Sequence, residues 1–183
     1  MRSAIVRAVI SFKLTPFPGE RAPGASIAGD VQRDTGRLVA TYRITMRPGA
    51  LVIPAAADAP TRRDELWRST CVEMFVGVPG KTGYIEVNLS PSRDWNVYRF
   101  DDYRFAMTQI DVARFEAHAS SVEFSMMLGF VMVLPPDLGT APMLEAGVSA
   151  VLQHSDGATT HWALAHRGSR PDFHRRDGFM LSI

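Results

Sequence analysis

The chain has very little cysteine: Cys71 is the single thiol in 183 residues. No internal disulfide can form, and with no CxxC pair or Cys/His cluster there is no zinc staple for a small fold. An excess of one charge is missing too. The 20 Lys and Arg residues stand against 19 Asp and Glu, a balance without the basic field that nucleic-acid or anionic-membrane binding draws on. We therefore expect no nucleic-acid partner and no membrane partner. No run approaches 18 uninterrupted apolar residues, so no bilayer-spanning helix is expected. The opening MRSAIVRAVISFKLTPFPG is broken by Arg7 and Lys13, and no small-residue cleavage site follows. It does not read as a signal peptide, and the expected location is cytoplasmic. Helical periodicity is equally scarce, with few windows placing apolar residues at i, i+3, i+4 and i+7.

What the chain does have is 46% apolar residues, enough for the core of one domain spanning residues 1–183. Short alternating runs bounded by Gly, Pro, Asp or Ser recur throughout. They predict strands over residues 4–14, 26–33, 37–45, 50–54, 70–78, 84–90, 95–100, 110–119, 122–131, 144–153, 160–166 and 179–183. Asp34-Thr35-Gly36 and Pro79-Gly80-Lys81-Thr82-Gly83 supply hairpin turns, and Asp156-Gly157 another. Pro135-Pro136-Asp137-Leu138-Gly139 breaks the ladder and has room for a short helical turn. The expected fold is all-β, a two-sheet antiparallel β-sandwich, because each sheet must bury one face.

The chemistry gathers in residues 66–104, LWRSTCVEMFVGVPGKTGYIEVNLSPSRDWNVYRFDDYR. Period-2 alternation sets Val72, Met74 and Val76 on one face and Cys71, Glu73 and Phe75 on the other. On the next strand Ile85, Val87 and Leu89 are apolar, while Tyr84, Glu86, Asn88 and Ser90 share the opposite side. If the two strands are antiparallel neighbours, Glu73 lies near Glu86 and Asn88. A solvated sheet face explains this pattern as well as a binding face does. Favouring the binding face, Trp67, Tyr84, Trp95, Tyr98 and Tyr103 crowd the same segment with Arg99 and Arg104 between them. Flat aromatic plates ringed by carboxylate, amide and guanidinium groups suit a sugar, which has C–H faces and a hydroxyl rim. Tyr98 and Phe100 are expected in the core, and packing is expected of Tyr103 and Phe105.

A second stretch, HWALAHRGSRPDFHRRDGF at residues 161–179, holds Trp162 and three of the five histidines. His166, Asp172 and His174 match no metal-ligand spacing. A hydrogen-bonded loop clamp, with Asp172 paired to Arg170, Arg175 or Arg176, is the expected arrangement. That loop is placed to roof a pocket.

LWRSTCVEMFV, YIEVNLSPSRDWNVYRFDDYR and HWALAHRGSRPDFHRRDGF together resemble bacterial DOMON-like proteins related to family 9 carbohydrate-binding modules. The resemblance covers the middle and C-terminal end of the chain and implies a β-sandwich that binds sugar or haem. In the sugar-binding modules two tryptophans sandwich the ring, the first six residues before a glutamate. Trp67 stands six residues before Glu73, and Trp162 is the implied opposing plate. Glu86 and Asn88 lie where those modules supply hydrogen-bonding groups. Cys71 replaces an acidic residue common in the family, which argues against structural calcium. The thiol is expected to be a small buried packing group.

The resulting expectation is a non-catalytic binding domain for a saccharide or sugar-like small molecule, with no cofactor and no metal. Trp67 and Trp162 stack on the ring; Glu73, Glu86 and Asn88 meet hydroxyls; Arg99 or Arg104 meets an acidic group; His166, Asp172 and His174 shape the closing loop. Two carboxylates on one flat sheet do not flank a substrate as a glycosidase pair must, and Ser90-Pro91-Ser92 is no nucleophile elbow. Two other readings stay open. One is an interaction module with no small ligand. The other is a haem- or metal-binding DOMON domain, although the methionines in apolar runs read as gap fillers.

Overall fold

The protein is described here by a computed structural model over residues 9–34 and 36–183. Twelve strands and one helical turn follow in the order β1 (Ile10–Pro16), β2 (Ser26–Asp34), β3 (Arg37–Thr45), β4 (Cys71–Gly77), β5 (Tyr84–Leu89), β6 (Trp95–Phe100), β7 (Thr108–Gln109), β8 (Phe115–Val122), β9 (Ser125–Val133), α1 (Pro136–Gly139), β10 (Glu145–Gln153), β11 (Thr159–Ala163) and β12 (Leu181–Ser182). Every pairing between them is antiparallel.

Hydrogen bonding runs along one path, β7-β6-β5-β4-β10-β11-β1-β2-β3-β9-β8, with β12 beside the start of β10. The sheet is therefore continuous and curled. Strand β1 makes the connection, pairing with β2 through Ile10 to Leu14 and with β11 through Thr15 and Pro16. Pro16 lacks an N–H, which suits the end of a strand where the ladder changes partner.

Alternation on β3 buries Leu38, Ala40, Tyr42 and Ile44, and these meet Val72, Met74 and Val76 of β4 in the main core. The curl brings β3 across β4, where Tyr42 Oη donates to the Glu73 carbonyl at 2.9 Å. Each large apolar side chain buried this way contributes roughly 1.5–3 kcal/mol. The opposite face of β4, β5 and β6 is also covered. Phe75, Tyr84, Tyr98, Phe100 and Phe179 form a second cluster, with Trp67 and Phe173 packed against it.

The hairpin turn at 79–83 joins β4 to β5 with Gly77 opposite Tyr84. The turn at 34–36 joins β2 to β3 with Asp34 opposite Arg37, Thr35 lying outside the described residues. Of the 4–14 run, residues 4–8 lie outside the described residues, and β1 runs from Ile10. Other expected strands need correction. The 122–131 run sits later, as β9 over Ser125–Val133, with Val122 closing β8. Residues 50–54 make only an isolated bridge from Leu51 to His154, since the Val52 carbonyl accepts from the Thr70 hydroxyl instead of a neighbouring strand. Residues 110–114 are not a strand: Ile110 N–H donates to the Val97 carbonyl beside β6 and the Arg114 carbonyl accepts from Val133 beside β9, so the segment crosses from one strand partner to another. The last run shortens to Leu181–Ser182 as Phe179 is drawn into the second cluster.

Candidate functional site

The site lies on the second face of β4 and β5. Register places Glu73 opposite Asn88 and Phe75 opposite Glu86, with Ser149 of β10 on the other side of Glu73. Glu73, Glu86 and Asn88 are almost completely buried, at 3%, 4% and 0% exposure. The solvated-face explanation therefore fails. Ser149 Oγ donates to Glu73 Oε2 at 2.9 Å, and Asn88 Nδ2 donates to Glu86 Oε1 at 2.7 Å. Cys71 is buried beside them, its Sγ 3.8 Å from Asn88 Oδ1. Burial pushes its thiol well above the ordinary value, with Glu73 adding to the effect, so it is a packing group rather than a nucleophile.

Over these acids opens a cavity of about 390 Å³. Glu73 and Glu86 line it together with Trp67, Arg104, His161, Asp172, Phe173 and His174. Trp67 sits on a short 3-10 turn, Leu66–Arg68, edge-on to Tyr98 with centroids 5.7 Å apart. Phe173 and His174 come from the segment before β12. His174 is clamped by ring contacts to Phe75 and Phe100 and by a 2.8 Å bond between Tyr84 Oη and its Nδ1. Tyr84 Oη also accepts from the Arg104 backbone N–H at 3.2 Å, and His174 Nε2 lies 3.8 Å from Glu86 Oε2.

Burial dominates the electrostatics. It drives the Glu73 carboxyl up to about 8, with the charge of Glu86 adding and the Ser149 bond opposing. Glu86 rises to about 7, again through burial, with the Asn88 bond and Arg104 opposing. His174 falls to about 4 because burial, then the Arg104 charge, disfavours the imidazolium. His174 is thus neutral near pH 7 and forms no ion pair with Glu86. Burial also works against the Asp172 charge, but bonds from Tyr103 Oη at 2.6 Å and Arg104 at 3.1 Å outweigh it and hold that carboxyl below its ordinary value.

Of the ten residues singled out from sequence, six line the cavity, and Asn88 braces Glu86 beneath it. Three do not reach it. Trp162 belongs to the main core, 3% exposed, with Nε1 donating to Thr160 Oγ1 at 2.9 Å. Alternation on β11 turns its neighbour His161 to the cavity instead. Arg99 is likewise on the far side of β6 from Tyr98 and Phe100, and pairs both guanidinium nitrogens with Asp137. His166 lies beyond the end of β11, bonding the Thr15 carbonyl at 2.9 Å and packing edge-on to Phe17. Asp172 finds its cation in Arg104, not in Arg170, Arg175 or Arg176. Tyr103 and Phe105 are exposed, at 49% and 65%, where packing was expected. Among the described residues no three His, Cys, Asp or Glu side chains converge as a metal-binding group.

His161 and Phe173 are the residues sequence reasoning missed. Both fall within the quoted C-terminal stretch, and the alternation of His161 against Trp162 was the available signal.

The fold is all-β, a curled antiparallel sheet. No protein-family model matches the chain and no curated protein matches it. Among solved structures, a candidate carbohydrate-binding protein from Bacteroides uniformis superposes with a TM-score of 0.61 at 12% identity, over 92% of this chain and 84% of that one. A family 9 carbohydrate-binding module from Caldicellulosiruptor kristjanssonii, in complex with cellotriose, superposes with a TM-score of 0.53 at 12% identity, over 85% of this chain and 72% of that one. At such identities the likeness is one of fold.

Proposed function

We propose that the chain is a non-catalytic binding domain for a saccharide or sugar-like small molecule, built as a two-sheet sandwich and recognising its ligand in the cavity over β4 and β5. Trp67 stacks on one side of the ring and Phe173 faces it from the closing segment, taking the role first expected of Trp162. Glu73 and Glu86 meet ring hydroxyls from below, and Arg104 and His161 reach the rim. The observation that carries this reading is the coexistence of a buried polar floor and aromatic walls around a cavity large enough for a monosaccharide. The cellotriose complex of the family 9 module that shares the fold supports the ligand class. Binding rather than hydrolysis fits the placement of both carboxylates on one floor, since a glycosidase holds its pair on either side of the scissile bond.

Isothermal titration with glucose, cellobiose and glucosamine tests the proposal. Binding to the parent that weakens by about tenfold or more in Trp67→Ala, as loss of a stacking plate predicts, supports it. Equal binding by Trp67→Ala and Glu73→Gln contradicts the site.

A further inference from the structure

The floor of the cavity is built from two carboxyl groups, Glu73 and Glu86. Arg104 lines the same cavity, and its guanidinium is already paired with Asp172 at 3.1 Å. The Asp172 carboxylate is also held by Tyr103, so that pair is satisfied without Glu73 or Glu86. His174, the other basic group facing the floor, is kept neutral by burial. His161 is turned to Glu20, its Nδ1 2.8 Å from that carboxylate. Neither glutamate therefore has a salt bridge to an arginine or lysine among the described residues, although the charge of Arg104 acts on both.

Each also has an idle oxygen. Ser149 occupies Glu73 Oε2 and Asn88 occupies Glu86 Oε1. No hydrogen bond to Glu73 Oε1 or Glu86 Oε2 is found among the described residues, and His174 Nε2 stands 3.8 Å from the latter. Both side chains are more than nine-tenths buried, yet neither oxygen is among the buried polar atoms left without a partner, so both open onto the cavity, where a ligand can reach them. The walls add an independent observation. Trp67, Phe75, Phe100 and Phe173 surround the same space, and aromatic faces attract a cation that has left water. A neutral sugar makes no use of the cation-attracting walls.

We propose that the preferred ligand carries a primary ammonium group, as an amino sugar with a free amine does, and that this group is held between Glu73 Oε1 and Glu86 Oε2. An ammonium has three N–H donors, enough for both idle oxygens and one further acceptor. Charge-assisted bonds of this kind are about twice as strong as neutral ones. Near neutral pH the two glutamates retain protons in the empty cavity. The incoming ammonium favours their ionised forms, so binding releases the protons they hold to solvent. This inference rests on the saccharide reading of the same cavity.

The test is titration of the full chain with glucosamine, glucose, N-acetylglucosamine and methylamine at pH 7, in two buffers of different ionisation enthalpy. Glucosamine binding about tenfold or more tighter than glucose and N-acetylglucosamine, with net proton release, is the expected result. Glu73→Gln and Glu86→Gln, whose folding is checked by thermal melting, should bring glucosamine down to the affinity of glucose and abolish the proton release. Glucose binding as well as glucosamine overturns the ammonium inference and leaves the saccharide reading standing. Methylamine matching glucosamine leaves the ammonium site standing and removes the saccharide reading. Binding of none of the four, or binding of calcium or magnesium ions in competition with glucosamine at the Glu73 and Glu86 pair, overturns the inference.

Discussion

Tyr84 and His174 share a 2.8 Å hydrogen bond that fastens the closing segment to the sheet. Ninety residues apart in the chain, they meet inside a cluster of Phe75, Phe100 and Phe179 rings. The segment carrying Asp172, Phe173 and His174 is therefore part of the folded body, and the cavity has a fixed roof. His174→Ala should destabilise the protein by roughly 1–3 kcal/mol, through the lost bond and ring contacts. Chemical denaturation measures this, and amide exchange should quicken at residues 171–175.

The same histidine predicts a response to acid. Its folded-state value, about 4, lies below the ordinary 6.5, so the unfolded chain binds the extra proton first. The stability this contributes is complete above pH 6.5 and is lost as the pH falls toward 4. Replacement by Gln should flatten the dependence of the melting temperature on pH across that window.

Glu73 and Glu86 act with the opposite sign. Their folded-state values, about 8 and about 7, lie above the ordinary 4.5, so the folded chain holds protons that the unfolded chain gives up. Their contribution is complete below pH 4.5 and disappears as the pH rises through 7 and 8. Between pH 4.5 and 6.5 this opposes the His174 effect; between 6.5 and 8 it acts without that opposition. Melting of the empty protein should fall over pH 6.5–8, and Glu73→Gln should remove much of that fall.

Trp67 and Trp162 should separate cleanly in a mutational comparison. Trp162→Ala empties part of the main core and should cost about 3–5 kcal/mol. Trp67→Ala loses chiefly an edge contact with Tyr98 and should cost about 1 kcal/mol. In sugar titration the order reverses, with Trp67→Ala the more damaging to binding.

Strand positions were largely readable because alternation is strong where one face is core. Residues 37–45 and 95–100 match β3 and β6 end to end. The same rule misleads where both faces are buried. On β11 an indole and an imidazole alternate, and hydrophobicity alone does not say which side holds the cavity, because the closing segment covers the second face of the sheet. The rule also says nothing of Arg99, whose long side chain reaches Asp137 over the opposite side. His166 and Asp172 looked like neighbours in the chain, yet β11 ends at Ala163 and the two diverge beyond it. The Glu73, Glu86 and Asn88 floor was legible because it needs only a hairpin and a period of two. Phe173 and Trp67 line one cavity from about a hundred residues apart in the chain, which local pattern does not encode.

The most direct measurement is a crystal structure of the chain soaked with glucosamine. The account predicts a sugar ring against Trp67, beneath Phe173, with its nitrogen between the Glu73 and Glu86 carboxylates. A ring bound elsewhere on the surface, or a cavity still empty when the soaking concentration exceeds the dissociation constant measured in solution, would contradict it.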